Sequence, residues 1–253
     1  YATQDPNTYH WLITTVDSTG DVGDSNAIVL DSNGQPHISY IDSTNNNLKY
    51  ASYDGSTWQN STLDTSLFGE RFEMDSTSIA IDSNDYVHIS YSNNSASYNS
   101  LKYIRDGPQG WTNNSLTTPN YGGLWSDIAI DSNDDVHISY SDDYHETLEY
   151  FTNIGGAWVN STIDGSPVNY NAEIYSETSI AINSSAIPHI SYYDGAYSGA
   201  LMHATIDNGG SWSTTIVDDS GEAGIHSSIA IDSSDSVHIS YIDDSNYSAK
   251  RAI

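Results

Sequence analysis

The sequence contains no cysteine, and only 6 of its 253 residues are Lys or Arg. Without Cys there is no disulfide framework, and the redox compartment stays open. Against 34 Asp and Glu, so few cations leave a formal charge of −28. Nucleic-acid binders need clustered Lys and Arg to neutralise phosphates, so that class is excluded. Attachment to an anionic membrane surface is excluded for the same reason. No apolar run approaches the ~18 residues of a membrane-spanning helix, so no membrane insertion is expected.

What is present points to a folded chain. Twenty Tyr and six Trp supply core-forming bulk, which argues against disorder despite the charge. Charged residues make up only 16%, below the ~25% of an average domain. Most of the acidic residues are Asp rather than Glu. That skew suits turns, where Asp bonds its own backbone, better than helices. A surface of Ser, Thr, Asn, Tyr and Asp suits a secreted or cell-surface protein. The chain starts at Tyr1 rather than Met, which reads as a processed or excised form.

The tetrapeptide His-Ile-Ser-Tyr occurs five times, starting at His37, His88, His137, His189 and His238. The positions are about 50 residues apart, a period that signals a solenoid, a propeller or an array. The unit decides between them. In the third, Ser126–Asp131, Val136–Tyr140, Leu148–Thr152 and Trp158–Ile163 alternate with period two, separated by Ser/Asn/Asp/Gly turns. Four short antiparallel strands in a unit of this length make a propeller blade. The predicted fold is an all-β, five-bladed β-propeller forming a single domain over residues 1–253. Its blades span about 25–66, 76–119, 125–166, 177–219 and 226–253 plus 9–18. The last blade stops after three strands, and Trp11–Asp17 matches the fourth strand Trp212–Asp218. The N-terminal strand is therefore expected to complete the C-terminal blade and close the ring, removing an open edge.

Turns before the fourth strands carry a resemblance. They include Ser52-Tyr53-Asp54-Gly55-Ser56-Thr57-Trp58, Asp106-Gly107-Pro108-Gln109-Gly110-Trp111, Gly155-Gly156-Ala157-Trp158 and Asp207-Asn208-Gly209-Gly210-Ser211-Trp212. The last resembles the Asp-box turn of sialidase-type propellers (S-x-D-x-G-x-S/T-W), with Thr205 in the place of the first Ser; the others are degenerate. The longer repeat is similar to those of secreted archaeal and bacterial propeller proteins. Tachylectin-like lectins share the architecture only. The resemblance covers the whole chain and is specific for the blade, whereas function must be argued from a site.

Second-strand His residues lie too far from the axis to share a metal and are read as inter-blade hydrogen-bonding groups. The Tyr residues that follow (Tyr40, Tyr91, Tyr140, Tyr192, Tyr241) are candidates both for packing and for lining a pocket. Loops entering the first strands differ between units. They hold Tyr121, Trp125 and Asp127, then Tyr175 and Glu177, then His226. Aromatic rings beside carboxylates suit sugar recognition, because ring faces stack on sugar C–H surfaces while polar groups bind hydroxyls. The expected function is a non-catalytic extracellular module binding glycans or cell-surface polymers. The alternatives are a glycosidase or lyase using Asp127, Glu177 and His226, and a self-assembling structural subunit. The resemblance to sialidases implies an Arg triad for the substrate carboxylate, but of this chain's three Arg (Arg71, Arg105 and Arg251) the last two fall on third strands, outside any central pocket. Sialidase activity is therefore not expected.

No cofactor is required by this reading. Calcium is a candidate at Asp17, Asp21 and Asp24, beside Gly20 and Gly23. Of six Asn-X-Ser/Thr sequons, Asn60, Asn113 and Asn160 lie two residues after a fourth-strand Trp, on the expected outer rim. These three are the glycosylation candidates.

Overall fold

Alternation of apolar and small polar residues gives strands throughout, and each strand is short because an Asx or Gly turn ends it. A computed structural model describes residues 1–65, 76–93, 100–117, 122–142, 145–165, 177–195, 199–207 and 210–253. Six antiparallel sheets result. Unit 1 contains β3 (Val22–Leu30), β4 (Pro36–Asp42), β5 (Asn47–Tyr53) and β6 (Trp58–Thr65). Unit 2 contains β7 (Thr77–Ile81), β8 (Val87–Asn93), β9 (Ser100–Arg105) and β10 (Thr112–Ser115). Unit 3 contains β11 (Leu124–Ile130), β12 (Val136–Asp142), β13 (Thr147–Thr152) and β14 (Val159–Asp164). Unit 4 contains β15 (Thr178–Ile182), β16 (Pro188–Asp194), β17 (Ala200–Ile206) and β18 (Trp212–Asp218). Unit 5 has three strands, β19 (Ala223–Ile231), β20 (Val237–Asp243) and β21 (Ser248–Ala252). The sixth sheet is a hairpin of β1 (Ala2–Gln4) and β2 (Trp11–Ile13).

First strands pack side by side in the order β3, β7, β11, β15, β19. The core lies between units. Ile79, Ile89 and Tyr91 of unit 2 meet Ile41, Leu48 and Tyr50 of unit 1, and equivalent clusters fill the later junctions. Fully burying one Ile or Leu contributes roughly 1.5–3 kcal/mol, so each junction is held chiefly by these side chains. In units 2 to 4 the Ala between the two Ile of the first strand (Ala80, Ala129, Ala181) packs partly buried against the next unit's core. A second lock is polar. Ser39 accepts from Thr77 at 3.0 Å, Ser90 from Ser126 at 3.0 Å, and Ser139 and Ser191 meet Thr178 and Ser227 at 2.8 and 2.9 Å.

The expected ring closure does not form. Trp11–Ile13 does not join the C-terminal sheet; it pairs with Ala2–Gln4, and among the described residues no strand pairs with the outer edge of β21. The reason is chain proximity: Asp5 N donates to His10 O at 2.9 Å across a short loop. Closing that loop costs much less chain entropy than recruiting a strand more than 200 residues away. The segment still docks on unit 1, where Asp17 accepts from the Tyr40 hydroxyl at 2.9 Å and from the Lys49 ammonium.

Candidate functional site

All five first strands end around one cavity of about 720 Å³. Its wall is a consequence of the repeat. In β3, β11 and β19 the pairing register shifts before the core pair, a β-bulge. At the bulge Ser25, Trp125 and His226 take left-handed φ of 44°, 46° and 51°. A bulge re-aims side chains at a sheet end, and here it turns one residue per strand toward the cavity. Serine and threonine line most of the wall, including Ser76, Ser78, Ser126, Thr178 and Ser228.

Trp125, Asp127, Glu177 and His226, named from sequence, come together in this cavity. Glu177 Oε2 and His226 Nδ1 lie 2.9 Å apart, and both side chains are nearly half exposed. Trp125 is buried, 8% exposed, so its ring supports the wall more than it faces the opening. Asp127 occupies the position of Ala27, Ser78, Ser179 and Ser228, by its pairing with Ser139. One of its oxygens accepts from Ser78 Oγ (2.6 Å) and Ile128 N (3.0 Å), the other from Ser179 Oγ (3.1 Å) and Ile180 N (2.9 Å). Burial pushes its carboxyl up, against the pull of these four donors. Asp127 thus ties three units together at the axis.

The other expectations land elsewhere. Tyr121 and Tyr175 lie outside the described residues. None of Tyr40, Tyr91, Tyr140, Tyr192 and Tyr241 lines the axial cavity: the last four are buried between units, and Tyr40 is buried against the N-terminal segment, where it lines a second cavity of about 470 Å³. Four of their hydroxyls donate to the Asp that ends the preceding fourth strand, or to its counterpart Asp17. The pairs are Tyr40–Asp17, Tyr91–Asp64, Tyr192–Asp164 and Tyr241–Asp218, at 2.7 to 2.9 Å. Thr117 stands where unit 2 would carry that Asp, and Tyr140 donates instead to Asn160 at 3.3 Å. Burial followed by the Asp17 contact raises the Tyr40 phenol well above its usual range.

The second-strand His residues bond inside their own units rather than between units. Nδ1 of His88 and His137 lies 2.7 and 2.5 Å from Tyr103 and Tyr150, His37 pairs with Tyr50, and His189 lies 3.0 Å from His203. The far nitrogen of His88 points at the turn residue Asp82 at 3.3 Å. Sequence reading missed the third-strand tyrosines Tyr50, Tyr103 and Tyr150. Their fixed place after Leu-Lys or Leu-Glu was the available signal. Each is capped edge-on by the next unit's Trp, with ring centroids 4.9–5.0 Å apart.

Asp17, Asp21 and Asp24 do not gather. Asp17 turns to Lys49, Asp24 accepts from Ser43, and among the described residues no three acidic or His side chains could hold a metal ion. Asn60, Asn113 and Asn160 lie on exposed outer strands, and each uses its amide. Asn60 donates to Val16 O, Asn113 to Asp64 and Tyr91, and Asn160 to Glu149. The Asp54 turn has the expected Asx geometry, its carboxylate accepting from Ser56 N and Thr57 N at 2.9 and 2.8 Å. Among the described residues no helix is long and apolar enough to cross a membrane.

No protein-family model matches this chain, and no curated protein matches it in sequence. Solved structures do match. The six-bladed β-propeller lectin of Aleuria aurantia has 15% identity and a TM-score of 0.58, over 100% of this chain and 89% of that one. An endo-arabinase of Bacteroides thetaiotaomicron has 12% identity and a TM-score of 0.52, over 90% and 92%. NanB sialidase of Streptococcus pneumoniae has 10% identity and a TM-score of 0.56, over 91% of this chain and 60% of that one. The chain has the β-propeller fold. At such identities the likeness extends to the fold alone.

Proposed function

We propose that this propeller is an extracellular, non-catalytic module that binds glycan or a cell-surface polymer in its axial cavity. The carrying observation is the cavity itself: hydroxyls from all five units around an opening that presents the Glu177–His226 pair. A wall of fixed hydroxyls with one carboxylate–imidazole pair suits a polyhydroxylated ligand, because each sugar hydroxyl both donates and accepts. The lectins among the structural neighbours support this reading. The charge of −28 disfavours uronate or sialylated ligands and favours neutral or amino sugars.

The enzyme alternative ranks second. A glycosidase needs two available carboxyls about 5–9.5 Å apart, and Asp127 spends its oxygens on four internal donors. The deciding experiment is a broad glycan and polysaccharide panel, read for both binding and product, with calcium and with chelator. Saturable binding of intact neutral or amino glycans supports the proposal. Released product moves the reading to hydrolysis or elimination, and no binding in either condition removes it.

A further inference from the structure

The two ends of the sheet array are unfinished in complementary ways. At the N-terminal end, β1–β2 reproduces the outer half of a unit. Gln4 pairs with Trp11 as Ile206 pairs with Trp212. Tyr1 packs edge-on against Trp58 at 5.2 Å, as Tyr50 does against Trp111 at 5.0 Å. The hairpin is therefore a third and fourth strand lacking a first and second. Where those strands would lie, unit 1 is bare: Ile28 is 54% exposed, while its counterparts Ile79, Ile128, Ile180 and Ile229 are 6–8% exposed. Gly23 tells the same story. A Cβ on its counterparts Gly123 and Gly224 would strike Leu101 and Leu201 of the preceding unit, whereas Gly23 has open space.

At the C-terminal end, unit 5 has a first, second and third strand and, among the described residues, no fourth. Its forward face is open. Ile242 is 37% exposed where Ile41 is 1%, and Ser240 is exposed where Ser39, Ser90, Ser139 and Ser191 are fully buried in their hydroxyl locks. Beside β21 lies a vacant socket of about 160 Å³, lined by His203, Val217, Val237, Ile239, Ala252 and Ile253. In units 2 to 4 the Trp that opens the fourth strand packs on the preceding third-strand Tyr. In unit 5 the residue waiting for that Trp is His203, and it lines the socket.

The missing strands are a fourth, then a first and a second, which is the order in which the repeat runs. We propose that the gap between units 5 and 1 is a docking surface for a β-segment of this same repeat type. Its leading strand fills the β21 edge and inserts a Trp into the His203 socket. Its next two strands pair onto β1 and cover Ile28 and Ile242. Main-chain pairing along two open edges supplies affinity, and the Trp socket and hydroxyl locks supply register. A second copy of this chain fits less well, because its own fourth-first-second strand series is already committed inside its units.

The probe is a synthetic peptide of residues 211–243, which carries Trp212 and the strand series β18–β19–β20, added to the full chain. Expected is a 1:1 complex by calorimetry and a melting midpoint raised by several degrees. Trp212→Ala in the peptide, or Ile28→Asp in the chain, should weaken binding at least tenfold; Ile28 is exposed, so that variant folds. No binding, or equal binding by the Trp212→Ala peptide, overturns the proposal. So does efficient intramolecular disulfide formation in Asn26→Cys/Ser240→Cys without peptide, because that would join unit 5 directly to unit 1. Concentration-dependent dimers abolished by Ile28→Asp would overturn it in favour of self-association.

Discussion

Glu177 of unit 4 and His226 of unit 5 meet at 2.9 Å across neighbouring first strands, at the axial cavity. Units 1 and 2 place Ser25 and Ser76 at the matching positions of that ring. The cavity is lopsided, with its Glu–His side on units 4 and 5.

The pair is exposed, and exposed pairs contribute about 0–1 kcal/mol to stability. Glu177→Gln and His226→Ala should therefore leave the urea midpoint nearly unchanged. Each should weaken glycan binding roughly tenfold, about 1.4 kcal/mol, in titration calorimetry. Unchanged affinity in both variants would move the site away from the axial cavity.

Asp127 should behave as a structural group. Asp127→Ser restores the side chain of units 2, 4 and 5 and should cost little. Asp127→Ala orphans the Ser78 and Ser179 hydroxyls and the Ile180 amide, at about 1–3 kcal/mol per buried unpaired group. Chemical unfolding of the two variants distinguishes them. Equal losses would show that the hydroxyl network does not depend on the carboxylate.

Tyr91→Phe removes a buried hydroxyl that joins Asp64 at 2.7 Å and Asn113 at 2.8 Å. A loss of about 1–2 kcal/mol of stability is expected, with glycan affinity unchanged. Reduced affinity at unaltered stability would instead make this tyrosine a ligand contact.

His203 carries a pH dependence. Burial, and then the nearby His189, lower its imidazole to about 4. The unfolded chain takes up this proton near pH 6.5, and the folded chain only near 4. Stability should therefore fall as pH drops from 6.5 toward 4. His88, His137 and His189 are lowered in the same direction, each chiefly by burial. His203→Tyr, which restores the residue of units 1 to 3, should leave a shallower decline in melting midpoint over that range. An unchanged decline would show that His203 titrates normally.

The repeat and its strand pattern were legible in the sequence because they are local. Alternation in Val136–Tyr140 and the Asp131–Asp135 turn need no distant partner. Trp125, Asp127, Glu177 and His226 were legible as candidates because they depart from the repeat, and departures mark positions the shared packing does not dictate. The buried role of Tyr40 and its counterparts was not legible. Each hydroxyl's partner comes from the preceding unit, or in Tyr140's case from another strand of its own unit. Likewise the His–Tyr pairs join second and third strands, and only strand register decides that they meet.

The fate of Trp11–Asp17 draws the boundary. By itself the sequence determined that this segment is a fourth strand, since Trp, spacing and terminal Asp all match the repeat. Which third strand it joins was decided by tertiary structure alone. Two segments, Ala2–Gln4 and Ser248–Ala252, carry suitable hydrogen-bonding edges, and the nearer one closes at the smaller entropic cost. The open face at Ile28 and the vacant socket at His203 follow from that choice.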